Sequence, residues 1–417
     1  MWNATIPGTA VVPLGRHVGA MASACVSAGD RVREGMLIGA VGTPGSTNVH
    51  SPIPGIVRDV RSISLPGGQV CDAIVIDMDG EFDRLGKPVT AYEWSELGPD
   101  RIVALIDEYG TVDTAGSPLS ARLARAREQG RRCRTLILNG GEAEPYLCAG
   151  QRLMIEQAQA VVTGVRILAN VLRPDRVVFA IGAGMHEAVT RIRSAVRDDG
   201  SGFDVVQVSR KYPQSDERQL VKTVTGREIP SGGDELDVGC VSIDAATACA
   251  VRDAVVYRKP LIERVVSVAG GAVARPGNVK VRIGTPVGDL IDECGGLIGD
   301  PARIVAGGPM TGHTIDNMRT PVTRDMRALL ALTGREVRSA RHEPCIRCGR
   351  CVSACPMGLE PSRLYKLIDH RDIAAAVSHG LFDCTECGAC GYICPSRVPL
   401  VQGMRLGKAR AIEGVPA

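Results

Sequence analysis

Eight of the 15 cysteines in this 417-residue chain fall into two runs of identical spacing. Cys345-x2-Cys348-x2-Cys351-x3-Cys355 is followed by Pro356, and Cys384-x2-Cys387-x2-Cys390-x3-Cys394 by Pro395. Three thiolates at intervals of three residues wrap one cubane, while the fourth, just ahead of its proline, reaches the other cluster. The spacing therefore predicts that Cys345, Cys348, Cys351 and Cys394 hold one [4Fe-4S] cluster, and Cys384, Cys387, Cys390 and Cys355 a second. Structural zinc closes its tetrahedron from pairs of short-spaced cysteines and has no need of a third equally spaced thiol or of the Cys-Pro. Cys25, Cys71, Cys133, Cys148, Cys240, Cys249 and Cys294 show no ligand spacing and read as small buried hydrophobes. An odd total without a secretory signal argues for thiolate ligands in a reducing compartment rather than for disulfides.

Cubanes pass electrons one at a time, so the chain must receive electrons from something and hand them on. A candidate donor site is Asn139-Gly-Gly-Glu-Ala-Glu-Pro-Tyr146, directly after the apolar run Arg134 to Leu138. A Gly-Gly turn lets backbone amides approach a ligand, and Asn139 with Glu142 and Glu144 offers partners for ribityl or ribose hydroxyls. The same pattern also describes a solvated polar loop. Gly182-Ala-Gly184 lacks the third glycine of a dinucleotide fingerprint and reads as a strand-to-helix turn.

The elements that must position these residues follow from composition and periodicity. Hydrophobic residues make up 44% and charged residues 23%, which suits a folded chain and excludes a disordered one. Aromatics are only 3%, against a base-stacking surface, and a net charge of +3 gives no footprint for nucleic acid or an anionic membrane. The length predicts several domains. Residues 1–95 carry short Val/Ile runs between turn residues and read as all-β, similar to the lipoyl and biotinyl barrel-sandwich hybrid but with no lysine at a hairpin tip. His17 and His50 read there as packing or turn residues. Residues 96–260 alternate strand and helix patterns, implying a Rossmann-like, largely parallel sheet. Residues 261–335 carry two strands and a short helix, Val287 to Cys294, as in a β-grasp module, and residues 336–417 form a short-looped, helical cysteine-rich domain. The fold class is thus multidomain α/β with a β-barrel-sandwich start and a ferredoxin-like end.

Together with Lys211-Tyr-Pro-Gln-Ser-Asp-Glu217, Lys259-Pro-Leu-Ile-Glu-Arg264 and Gly307-Gly-Pro-Met310, these segments resemble the RnfC family, the C component of the Rnf electron-transport complex, over nearly the whole chain. The resemblance implies a barrel-sandwich domain, an FMN- and NADH-binding domain like the flavoprotein subunit of respiratory complex I, a soluble-ligand-binding β-grasp domain and a two-cluster domain. It also implies FMN held by Gly116, Asn139, Glu142, Glu144 and Glu217, with Arg122 at the family's lysine position. The glycine-rich loop departs from the family: Thr111-Val-Asp-Thr-Ala-Gly-Ser-Pro118 stands where roughly Gly-x-Gly-Gly-Ala-Gly-Phe-Pro is usual. Added Cβ atoms and the charge of Asp113 fall where a phosphate should bind. Two readings follow: FMN takes a hydride from NADH and feeds the clusters, or the α/β domain is a flavin-less scaffold for the relay. A soluble corrinoid (cobalamin-type) reductase is a further alternative.

No run of apolar residues is long enough to span a membrane. A cytoplasmic protein is expected, bound peripherally to the inner face of the membrane through integral and redox partners of an Rnf-like complex, or acting on a soluble redox partner.

Overall fold

The computed structural model describes residues 1–15, 21–41, 47–113, 115–128, 132–142, 144–337 and 341–414; His17 lies outside them. In the first unit the long antiparallel hairpin Gly55–Ser64 and Val70–Met78 joins Thr9–Pro13 and Arg31–Val32, and a smaller sheet of Ser23–Ala24, Leu37–Ala40 and Val49–His50 faces it. Ala10, Val12, Ile38, Ile53, Ile74 and Ile76 fill the space between, as alternating apolar positions of two facing sheets must. His50 is a packing residue: it is buried, stacks on Tyr109 at 6.4 Å between ring centroids, and burial, with Arg324 nearby, lowers its pKa to about 4.

The α/β unit has four parallel strands in the spatial order Asp204–Val208, Arg176–Gly182, Thr135–Gly140, Cys240–Asp244. Their Val/Ile/Leu runs are buried because helices cover both faces. Chain progression runs outward from Thr135–Gly140 and then returns to its other side, so the sheet switches direction between that strand and Cys240–Asp244. In open parallel sheets the crevice beyond the carboxyl ends at such a switch is where ligands bind. Asn139, Gly141 and Glu142 leave one strand there and Asp244 the other. Two successive helices, Ala149–Glu156 and Ala158–Leu172, follow strand Thr135–Gly140. Gly164 permits the second to cross Ala245–Tyr257 closely, since a Cβ there would lie 1.9 Å from the Ala248 carbonyl oxygen.

The β-grasp sheet runs Trp2–Asn3, Gly277–Arg282, Glu263–Ala269, Ala328–Leu332, Arg303–Ala306, His313–Ile315, with helix Val287–Glu293 over it. Trp2–Asn3, assigned from sequence to the first unit, thus pairs in parallel with Val279 and Lys280 of the third. The first unit is also pinned to the third by a buried ion pair: Glu34 accepts from Arg282 Nη2 at 2.6 Å and from the amides of Arg84 and Leu85. In the last unit, helices Pro361–Asp369 and Ile373–Ser378 are separated at Arg371, whose φ is +63°. These pack with Leu400–Glu413 around Leu364, Ile368, Ala376, Leu381 and Met404.

Candidate redox site

The two cysteine runs adopt one backbone twice. Each has a left-handed residue just before its second cysteine, Arg347 (φ 58°) and Glu386 (φ 57°), and a left-handed glycine just after it, Gly349 (φ 74°) and Gly388 (φ 81°). Each run then continues into a short helix, Arg350–Ser353 or Ala389–Ile393, that carries the third cysteine. Reversals of this kind curl the loop and turn its N–H groups inward; Glu386 N donates to Cys384 Sγ at 3.4 Å.

Cys384, Cys387, Cys390 and Cys355 line one small cavity with Leu364 and Met404 behind it. Burial raises the Cys384 and Cys387 thiols and pushes Cys390 up to about 12, and the charges of Cys384, Cys387 and Cys355 act on Cys390 in the same direction. Buried thiols that oppose one another's ionisation become thiolates only beside a concentrated positive charge, which iron supplies. The cross-run neighbour Cys355 is therefore in place beside the three thiols of the second run. Cys351 packs with Cys394, Val398 and Leu400, the reciprocal pairing, while Cys345 and Cys348 are exposed. Among the described residues no three His, Cys, Asp or Glu side chains converge tightly enough for a single metal ion. A cubane takes one thiolate at each of its four irons and so needs them spread over its corners.

The crevice at the switch of the α/β sheet is a cavity of about 460 Å³. Arg122, Asn139, Glu142, Glu144 and Glu217 all line it, so five of the six residues expected at the site come together. Gly116 is buried in the adjoining loop with φ +69°, and its neighbour Ala115 reaches the cavity. Asn139 donates to Ser215 O at 2.8 Å and accepts from Gly141 N at 3.2 Å, which fixes the amide. Glu142 accepts from Gly150 N through Oε1, while its Oε2 is enclosed without a hydrogen-bond partner among the described residues. Burial raises the Glu142 pKa to about 7, against the pull of the Gly150 and Gln151 amides. An enclosed, unpaired acceptor facing a cavity fits a ligand that brings hydroxyl or N–H donors, as the ribityl chain and ring of a flavin do.

Glu144 does different work. Its carboxylate accepts from Met310 N at 2.9 Å, Thr311 N at 3.2 Å and the Thr311 hydroxyl, so it clamps the Gly307–Met310 turn of the β-grasp unit against the crevice. Gly308 makes this approach possible, since a Cβ there would lie 2.0 Å from Glu144 Oε2. Arg122 is buried among acids: Asp113 and Glu217 each lie 3.5 Å away and Glu235 is in direct hydrogen-bond contact. Burial raises Glu235 and Glu217, and the mutual repulsion of carboxylates sharing one guanidinium adds to it.

Crevice and cluster cavity meet. Cys387 and Thr385 line both, and Tyr212 donates its hydroxyl to the Cys387 carbonyl. Gln219 donates to Pro356 O at 3.2 Å and Ser231 to Asp383 at 2.6 Å, docking the cysteine domain onto the α/β unit. Sequence reasoning does not single out Tyr212, Glu235 or Arg264 individually. Tyr212 sits in a quoted motif but its partner is 175 residues away, and nothing local marks Glu235 as the buried partner of Arg122.

Residues 106–253 match the Nuo51 FMN-binding domain, residues 1–81 the RnfC barrel sandwich hybrid domain, residues 265–314 the SLBB domain and residues 339–395 the 4Fe-4S dicluster domain. The chain is 37% identical over 370 residues to the C component of the proton-translocating ferredoxin:NAD(+) oxidoreductase complex of Clostridium ljungdahlii, covering 89% of this chain and 80% of that one. It is 38% identical over 413 residues to the C component of the ion-translocating oxidoreductase complex of Rhodobacter capsulatus, covering 98% and 79%. Among solved structures, an NAD+-reducing [NiFe]-hydrogenase in the H2-reduced state superposes with a TM-score of 0.55 at 16% identity, over 77% of this chain and 62% of the hydrogenase chain, a likeness of fold.

Proposed function

Because the chain belongs to the RnfC family of ion-translocating oxidoreductase complexes, we propose that its crevice takes FMN and NADH-derived electrons and that its paired cysteine runs pass them to other members of such a complex. It is an iron-sulfur electron-transfer subunit of multidomain α/β architecture. The observation that carries the proposed route is that Cys387 lines both the crevice and the four-thiol cavity. Held by these residues, a flavin would supply the conversion of a hydride into single electrons and the clusters a one-electron relay.

The protein's own residues set the order. Cys387 lines the crevice, so the cluster it would share with Cys355, Cys384 and Cys390 is the receiver. Cys351 and Cys394 lie farther along the relay, and the exposed Cys345 and Cys348 bring its outer end to the surface. Around that end Ile346 and Tyr392 are 67% and 63% exposed, which suits a surface covered by a partner in an assembly. Asn139 and Glu142 hold the ligand's hydroxyl and N–H groups, while the Glu144 clamp keeps the β-grasp turn over the crevice. Among the described residues no helix is long and apolar enough to cross a membrane. Attachment to the cytoplasmic face of a membrane runs, in this reading, through the partner subunits of the complex.

Anaerobically purified protein should release about eight iron, about eight acid-labile sulfide and close to one flavin per chain, and its visible absorbance should bleach with NADH. Stoichiometric zinc, or full cluster loading with no flavin after reconstitution, would overturn the respective half of this reading.

A further inference from the structure

Several amides in and around the crevice are already taken by acceptors of the chain itself, most of them carboxylates. Loop Thr111–Pro118 is closed by a bridge between Val112 and Pro118. In it Gly116 N donates to Asp113 O and Ser117 N to Asp113 Oδ1, both at 2.8 Å. Arg264 Nη2, which lines the crevice, donates to the same Asp113 carbonyl at 3.3 Å. Asp244 caps helix Ala245–Tyr257 by accepting from the amides of Ala246 and Thr247, and Asp216 caps Glu217–Thr225 by accepting from Arg218 N. Gly150 N, at the start of Ala149–Glu156, donates to Glu142.

Turn amides and helix N-termini are what a protein offers a phosphate. Here the guanidinium of Arg122, which lines the crevice together with Arg264 and Arg327, is shared by Asp113, Glu217 and Glu235. A phosphate brought to the loop would have to displace the Asp113 carboxylate from Ser117 N and compete with three acids for Arg122. An uncharged hydroxyl or N–H donor, by contrast, would meet the enclosed Glu142 Oε2 with no carboxylate to displace.

We infer that Asp113 occupies the phosphate subsite, so that the crevice selects a flavin by its ring and ribityl chain and does not distinguish FMN from unphosphorylated riboflavin. This rests on the flavin reading above and adds its specificity. Asp113 acts as a built-in anion in place of the ligand's own.

The test is a fluorescence-quench titration of the cluster-loaded, flavin-stripped full chain with riboflavin and with FMN. The wild-type Kd values should agree within about threefold, and Asp113→Gly, which frees Ser117 N–H and unburdens Arg122, should tighten FMN by about tenfold or more while leaving riboflavin unchanged. Asp113→Asn keeps an acceptor for Ser117 N–H but removes the charge, so it guards against a loop that fails to fold; it should give a smaller gain on FMN alone. Wild-type protein that binds FMN about tenfold more tightly than riboflavin, or an Asp113→Gly protein that loses FMN affinity, would overturn the inference and leave the flavin reading standing. Binding of neither flavin by wild type and Asp113→Gly alike would overturn the flavin reading itself.

Discussion

Tyr212, at the rim of the crevice, donates its hydroxyl to the backbone carbonyl of Cys387 in the second cysteine run. Burial, with Glu144 and Cys387 adding to it, pushes the phenol above its usual range, so it stays a donor at every working pH. The bond ties a loop of the parallel sheet directly to the backbone of a cluster ligand. Tyr212→Phe should keep the full iron content and cost about 1 kcal/mol of docking stability. Stopped-flow reduction should show slower cluster bleaching than wild type. Unchanged bleaching would mean that the contact only docks the domain.

Cys355 stands beside Cys384, Cys387 and Cys390 rather than completing its own run. Cys355→Ala should therefore damage the cluster of the second run first. Low-temperature EPR of the reduced protein is expected to lose the signal of the crevice-side cluster and keep that of the cluster at Cys345, Cys348, Cys351 and Cys394. Loss confined to the outer cluster would invert the assignment.

How much of the molecule is legible in the sequence depends on how local the signal is. The cysteine runs are local, and their spacing already groups Cys355 with Cys384, Cys387 and Cys390, the four that line one cavity. The strands are legible because Leu136 to Leu138 and Val177 to Ile181 are continuous apolar runs in a sheet covered on both faces. The pairing of Trp2–Asn3 with Gly277–Arg282 is not legible, because two residues have no period and the register is set only in three dimensions. Glu144 reads as a hydroxyl-binding acid beside a Gly-Gly turn, but its partners Met310 and Thr311 lie 166 and 167 residues away. Side-chain pairings at that separation leave no trace in a single sequence, which is also why the acids around Arg122 do not stand out as a group.

Glu142 is the acid of the crevice with an unmet acceptor. Burial raises its pKa to about 7 from an ordinary 4.5, so the folded chain binds a proton there that the unfolded chain has released between those values. Its contribution to stability therefore falls as pH rises through that window, by about 3 kcal/mol at full ionisation in the absence of a ligand. Glu142→Gln should raise the urea midpoint at pH 8 and leave it nearly unchanged at pH 4.5. Flavin release should rise in the same variant, because an amide cannot replace the charged acceptor. A stability gain that does not depend on pH would show that Glu142 is already paired.

Arg122 holds Asp113, Glu217 and Glu235 together, and its removal should be the most damaging single change in the α/β unit outside its hydrophobic core. Arg122→Met keeps the stem but leaves the acids facing one another in a buried place, which costs about 3–5 kcal/mol at neutral pH. The sign of the pH dependence follows from the direction of the shifts. Burial already raises Glu235 and Glu217 with the guanidinium present, and without it they rise further. Raised carboxyls take up protons on folding, so the penalty is full above their folded pKa values and shrinks as pH falls towards the ordinary carboxylate range. Glu217 is half-exposed at the rim and is screened by water, so Glu235, in contact with the guanidinium and the Ser242 amide, carries most of the effect. Arg122→Lys retains the charge without the planar fork that reaches three partners, and should recover only part of the loss. Urea unfolding at pH 5 and pH 8 separates the cases: a gap between wild type and Arg122→Met that widens with pH marks the acids as the cause, whereas an equal gap at both values would assign it to packing of the arginine stem against its neighbours.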